Sequence, residues 1–217
     1  MDFLKKLILV LILPATAHAW DFGLNGRESS GYCTDPANTT YFQGDSDIYP
    51  VTRAGETFGF SPGEGNSKRD RDNAVDCRLA GNVFATNDGN QASTLRIDLP
   101  SAGTYDITLA LGDALFSNAQ IRAEVYDDST LLFTVADTDG VASGAFVDAN
   151  GVEHTTAANW VSNQTPRTVT FASTVFKVKL GTATDLSDGS RSTLAHVRIT
   201  TAVATDILPQ LQATGED

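Results

Sequence analysis

Apolar and polar side chains alternate with a period of two along much of the chain from Ser93 onward. In one run Leu95, Ile97 and Leu99 alternate with Thr94, Arg96 and Asp98, as a strand with one buried face requires. Pro100-Ser101-Ala102-Gly103 is a turn cluster. Beyond it Tyr105, Ile107, Leu109 and Leu111 alternate with Asp106, Thr108 and Ala110, so the two runs predict a hairpin laid against a core. Ile121, Ala123 and Val125 then alternate with Arg122, Glu124 and Tyr126, and Asp127-Asp128-Ser129 makes the turn into Leu131–Val135. Val169 and Phe171 mark a further strand. Phe176, Val178 and Leu180 mark another, with Lys177 and Lys179 facing out, and Val197 and Ile199 close the series beside His196 and Arg198. No stretch carries a helical stripe. Short strands separated by Gly, Asp, Ser and Thr predict an all-β protein, an antiparallel β-sandwich of the jelly-roll kind.

Residues 24–92 are patterned differently. They are rich in Gly, Asn, Asp and Ser, with short apolar fragments such as Phe58-Gly59-Phe60 and Val83-Phe84-Ala85. A long irregular stretch inside a domain is usually functional or held down by its own contacts. With no repeat and no linker, residues 20–208 read as one sandwich domain and residues 209–217 as a frayed tail.

The first nineteen residues change the picture of where the protein works. Lys5-Lys6, the apolar run Leu7–Leu13, Pro14 and the small-residue ending Ala15-Thr16-Ala17-His18-Ala19 have the three parts of a secretory signal peptide. The apolar run is well short of the roughly 20 residues a membrane span needs. Cleavage is expected after Ala19, giving a secreted or periplasmic protein with no membrane insertion. Removing Lys5, Lys6 and Asp2 leaves 13 Lys and Arg against 26 Asp and Glu, a balance that argues against nucleic acid as a partner. In an oxidising compartment Cys33 and Cys77, the two cysteines of the chain, are expected to form a disulfide; the alternative is two separate buried thiols.

Several blocks share a pattern with known modules. Trp20-Asp21-Phe22-Gly23, Ser30-Gly31-Tyr32 and Gly59-Phe60 resemble the opening of galactose-binding-like domains. Arg69-Asp70-Arg71-Asp72, Asp76-Cys77-Arg78-Leu79-Ala80-Gly81 and Leu95–Tyr105 leading to Leu111-Gly112-Asp113 are similar to malectin-like modules. Such modules occur at the N-terminus of secreted rhamnogalacturonan acetylesterases and polysaccharide lyases. The resemblance covers residues 20–113 and implies a jelly-roll sandwich and carbohydrate recognition. It departs from the pattern in that no catalytic domain follows.

The chemistry-bearing residues point the same way. Gly44-Asp45-Ser46 resembles the nucleophile block of secreted SGNH-type esterases, but in that family an aspartate stands three residues before the histidine base, and here Thr193 and Gly151 hold that position relative to His196 and His154. No catalytic residue is therefore assigned, and a carbohydrate-active hydrolase is the weaker alternative. Sugar binding needs an aromatic face beside polar groups. Trp160, in the loop-like stretch around Asn159, is the foremost aromatic for this, its alternative being an anchor packed on the sandwich end; Tyr126 lies on the outward phase of its strand. Arg69, Arg71 and Arg78 are clamps for an acidic sugar or, more commonly for such residues, ion-pair partners of neighbouring aspartates. Asp137-Thr138-Asp139 and Asp70-Arg71-Asp72 put oxygen ligands on alternate residues, which suits a structural Ca²⁺ or simply a turn. The function expected is a non-catalytic lectin-like module that recognises carbohydrate through end loops. The rival is an exported structural or assembly protein acting through protein contacts.

Overall fold

A strand whose alternate side chains are apolar must bury one face, and fifteen strands lie among the described residues. The structure, a computed structural model, describes residues 19–23, 40–43, 48–53, 55–62, 66–70, 76–79, 81–85, 93–118, 120–181 and 192–202. In chain order the strands are β1 (Ala19–Gly23), β2 (Thr40–Gln43), β3 (Val51–Arg53), β4 (Glu56–Phe60), β5 (Asn66–Asp70), β6 (Gly81–Ala85), β7 (Ser93–Asp98) and β8 (Gly103–Gly112). They continue as β9 (Ile121–Asp127), β10 (Thr130–Asp137), β11 (Phe146–Val147), β12 (Glu153–His154), β13 (Arg167–Phe171), β14 (Val175–Leu180) and β15 (Thr193–Thr201). A 3₁₀ turn at Cys77–Leu79 and one helix, α1 (Ala157–Asn163), complete the described elements. None of the described helices is long and apolar enough to cross a membrane.

The strands form two sheets. The larger has nine strands and runs β12-β11-β8-β15-β1-β2, with β13 also on β8, β6 on β15 and β5 on β6; the smaller runs β10-β9-β14-β7-β4-β3. Pairing is antiparallel throughout the named ladders except for β1 with β2, which is parallel. The expected antiparallel sandwich is what the chain forms.

One apolar layer fills the space between the sheets. Phe58, Leu95, Ile97, Val125, Phe176 and Val178 enter it from the smaller sheet, and Ile107, Leu109, Leu111, Val197 and Ile199 from the larger. Tyr105 meets Phe171 edge-on at 5.8 Å, and Phe171 meets Phe176 at 5.8 Å. At one margin the Arg167 guanidinium lies 4.2 Å over the Phe133 ring, closing the gap between β13 and β10 with a cation–π contact.

The expected hairpin of 94–99 with 105–111 is corrected. β7 pairs with β14 and β4 in the smaller sheet, whereas β8 pairs with β15, β11 and β13 in the larger. Both strands aim their alternating apolar set at the same layer, so the pattern is identical whether the partners lie side by side or face to face. The segment at 99–102 carries the chain from one sheet to the other. The β9–β10 hairpin, by contrast, forms as expected around Asp128-Ser129, with Asp128 at φ 49°, a left-handed conformation that Asp tolerates.

A second, smaller cluster lies on the outside of the larger sheet. Ala110, Phe146 and Ala195 pack there with Leu79 and with Ala157 and Trp160 of α1. The helix starts at Thr156, whose hydroxyl accepts the Asn159 N–H, a usual N-cap contact. Where β8 runs into β11, Gly112 faces Phe146 at φ 147°, and a Cβ there would come within 2.4 Å of the Ala145 carbonyl oxygen. Gly112→Ala is accordingly expected to destabilise the protein by roughly 1–3 kcal/mol, read as a lower midpoint in urea unfolding.

Candidate functional site

The two outer faces of the sandwich differ. On the larger sheet α1 sits over β8 and β15, and Trp160 is 0% exposed. Its indole Nε1 donates to the Leu109 carbonyl at 3.1 Å, and its ring meets His196 edge-on at 5.6 Å. The stretch expected as a loop is therefore a helix, and Trp160 occupies the packing role that was its alternative, with no face left for stacking on a sugar. Neighbouring Asn159 is exposed but bonded within the helix to Asn163.

On the smaller sheet no described element covers the outer face. Inward burial of Phe58, Ile97, Val125 and Val178 turns their neighbours outward, and the register lines those neighbours up across strands. One cross-strand row reads Leu131, Tyr126, Lys177, Arg96 and Gly59. The next reads Thr134, Glu124, Lys179 and Thr94, with Ser61 bonded through its backbone N–H to the Thr94 carbonyl. A shallow, open depression of about 350 Å³ on this face is lined by Ser61, Thr94, Tyr126, Asp128, Ser129, Lys177 and Lys179.

A bulge completes the site. Leu131 opposes Tyr126 while Phe133 opposes the adjacent Val125, so Leu132 is an extra residue in β10. Without it, Leu131 would share the inward phase of Phe133. With it, Leu131 turns outward beside Tyr126 and is 49% exposed, a re-aiming that bulges commonly perform. An exposed leucine and a tyrosine ring thus lie together on an otherwise polar surface.

Hydrogen bonds hold the polar groups in place. The Tyr126 hydroxyl donates to Glu124 Oε2 at 2.5 Å, and Arg122 donates to Glu124 Oε1 at 2.9 and 3.2 Å. Burial raises the Glu124 carboxyl, but the Tyr126 hydroxyl and the Arg122 guanidinium outweigh it and hold it below its ordinary value. The same hydrogen bond, with burial second, pushes the Tyr126 phenol above its ordinary value, so Tyr126 stays a neutral donor. Lys177 donates to Asp128 at 2.9 Å. Arg96 donates to Asp98 at 2.9 Å and lies 4.3 Å from the centre of the Tyr49 ring, while the Tyr49 hydroxyl donates to the other Asp98 oxygen. Beneath one rim, the Asp127 carboxylate accepts the N–H groups of Ala172 and Ser173 and the Ser173 hydroxyl, tying the β9 end to the β13–β14 turn. Burial raises that carboxyl too, and these donors bring it below its ordinary value.

The other expected site residues are scattered. Arg78 makes a two-pronged ion pair with Asp76 at 2.8 and 2.9 Å, beside Trp160 and remote from the open face. Burial raises the Asp76 carboxyl, and Arg78 with nearby His196 outweighs it, leaving it below its ordinary value. That geometry fits the ion-pair alternative. Asp137 spends one oxygen on the N–H groups of Asp139 and Gly140, a turn contact. No group of three or more His, Cys, Asp or Glu residues is gathered for a metal among the described residues. Asp70 ends β5 opposite Gly81, and Cys77 begins the 3₁₀ turn. Arg71, Asp72, Cys33, the Gly44-Asp45-Ser46 block and residues 1–18 lie outside the described residues. Of the expected ligand-binding residues that are described, only Tyr126 stands on the open face. Lys177 and Lys179 carried the signal in their outward phase; Leu131 carried none, because a bulge leaves no mark in the alternation.

No protein-family profile and no curated protein matches the chain. Among solved structures, a cycloisomaltooligosaccharide glucanotransferase from Paenibacillus sp., complexed with cycloisomaltoheptaose, aligns with a TM-score of 0.37 at 16% identity, over 62% of this chain and 16% of that one. A family 35 carbohydrate-binding module from Clostridium thermocellum aligns with a TM-score of 0.35 at 9% identity, over 67% of this chain and 92% of that one.

Two outcomes follow from this geometry. Trp160→Ala should cost about 3–5 kcal/mol of stability, measured by denaturant unfolding, because it empties the space under α1. Glu124, with its carboxyl held low, contributes stability that is present above its ordinary value of 4.5 and is lost as the pH falls through the lower folded value. In Tyr126→Phe, which lacks one of the donors, the Glu124 carboxyl should titrate at higher pH than in the unaltered protein when followed by NMR.

Proposed function

We propose that the protein is an exported, non-catalytic carbohydrate-binding module whose site is the outer face of the smaller sheet, centred on Tyr126. The observation that carries this reading is the pairing of Tyr126 and bulge-exposed Leu131 on a face rimmed by hydroxyls and held charges. A pyranose has apolar C–H faces and an equator of hydroxyls. The phenol ring and leucine suit the first, and Ser61, Thr94, Ser129 and the lysines suit the second. Because the surrounding ion pairs already exist without ligand, little ordering is needed on binding.

The end-loop placement expected from the sequence gives way here to a sheet face. The reading as non-catalytic is supported by the two histidines beyond residue 19. His154 is buried against Asp148 within its own turn, and His196 is buried behind Trp160. Export rests on the signal-like first nineteen residues. A structural Ca²⁺ is tested by chelation.

The rival, assembly through protein contacts, draws on Leu115 and Phe116, 43% and 59% exposed at the tip after β8. A glycan array on residues 20–217, with and without EDTA, separates the readings. Binding that Tyr126→Ala weakens at least tenfold, with stability changed by no more than about 1 kcal/mol, is the expected result. Glycan binding indifferent to Tyr126→Ala, or no glycan binding at all, overturns the proposal; self-association lost on Leu115→Ser would then favour assembly.

A further inference from the structure

The charge on this face runs against the rest of the chain. Overall, Lys and Arg number 15 against 27 Asp and Glu. The outward positions of β9, β14 and β7, with Asp128 at the turn, carry the cations Arg122, Lys177, Lys179 and Arg96 and the carboxylates Glu124, Asp128 and Asp98. Cations therefore outnumber anions here, in a protein where anions prevail almost two to one.

Three of the cations are neutralised by partners already described: Arg122 by Glu124, Arg96 by Asp98 and Lys177 by Asp128. Lys179 is left. It makes no hydrogen bond or ion pair among the described residues, although its cross-strand neighbours are Glu124 and Thr94. Glu124 attracts it only at a distance, since its oxygens are engaged by Tyr126 and Arg122. A neutral sugar laid over the depression would offer this ammonium only uncharged hydroxyl oxygens in place of its water. An anionic group placed there would instead gain a charge-assisted hydrogen bond, with the hydroxyls of Thr94 and Ser61 close by along the same row.

Resting on the reading of this face as a sugar site, we propose that its ligand is an acidic glycan, with a carboxylate or sulfate seated at Lys179. The net acidic charge of the chain repels such a ligand and so favours its landing on this face, where cations outnumber anions among the described residues. The partly screened contact weakens as salt rises.

Calorimetric titration with trigalacturonate, a heparin-derived tetrasaccharide and neutral cellotetraose tests this at low and near-physiological ionic strength. At least one acidic probe should bind ten times or more tightly than cellotetraose, and more weakly in higher salt. Whether the carboxylated or the sulfated probe binds more tightly identifies the anionic group. Lys179→Gln should weaken the acidic probe at least tenfold and leave cellotetraose unchanged, while Lys179→Arg retains most of the affinity. If cellotetraose binds as tightly as the acidic probes and Lys179→Gln is indifferent, the acidic ligand is excluded while the sugar site centred on Tyr126 stands. If acidic probes bind equally in Lys179→Gln and Lys179→Arg, the anion is not seated at Lys179. If no glycan binds, both readings fall together.

Discussion

The apolar layer between the two sheets governs the rest of the molecule. Once Phe58, Ile97, Val125 and Val178 turn into it, the side chains one step away have to point outward, because successive residues of a strand face opposite ways. Arg96, Tyr126 and Lys177 then fall into one row without any further instruction. The site is thus a by-product of core burial: the same ladders that align the core align the surface.

What distinguishes the two surfaces is cover. The larger sheet spends its outer face on a second cluster, in which Trp160 bonds the Leu109 carbonyl and fastens α1 over Ala110 and Ala195. Small side chains on β8 and β15 leave room for a helix to approach that closely. The smaller sheet has charged, long side chains at the corresponding outward positions, and these remain hydrated. The chain as a whole carries more carboxylates than cations, whereas cations outnumber carboxylates around Lys179 among the described residues of this face.

Fixed charges also make the face rigid. Glu124 is held by Tyr126 and Arg122, Asp98 by Tyr49 and Arg96, and Asp128 by Lys177. Exposed pairs of this kind add little to stability, but they restrict side-chain rotation and so lower the ordering cost of binding. Asp127, buried under the rim, anchors the β13–β14 turn and with it the start of β14. Stability and the proposed recognition therefore draw on different groups, with the apolar layer supplying the first.

Period-two alternation by itself determined that this chain is a layered antiparallel β protein, that Lys177, Lys179 and Tyr126 face away from the core, and that Asp128-Ser129 turns β9 into β10. These are local properties, written in the spacing of neighbouring residues. Only the tertiary structure decided that β7 and β8 belong to different sheets, since a strand buries the same face whichever sheet it joins. It also decided the fate of two large apolar side chains. Trp160 was legible as a large ring in a polar stretch, but whether that ring meets solvent or sheet depends on Ala110 and Ala195, which are distant in sequence. Leu131 reaches the surface through a single extra residue in β10, a shift of register that exists only relative to the partner strand.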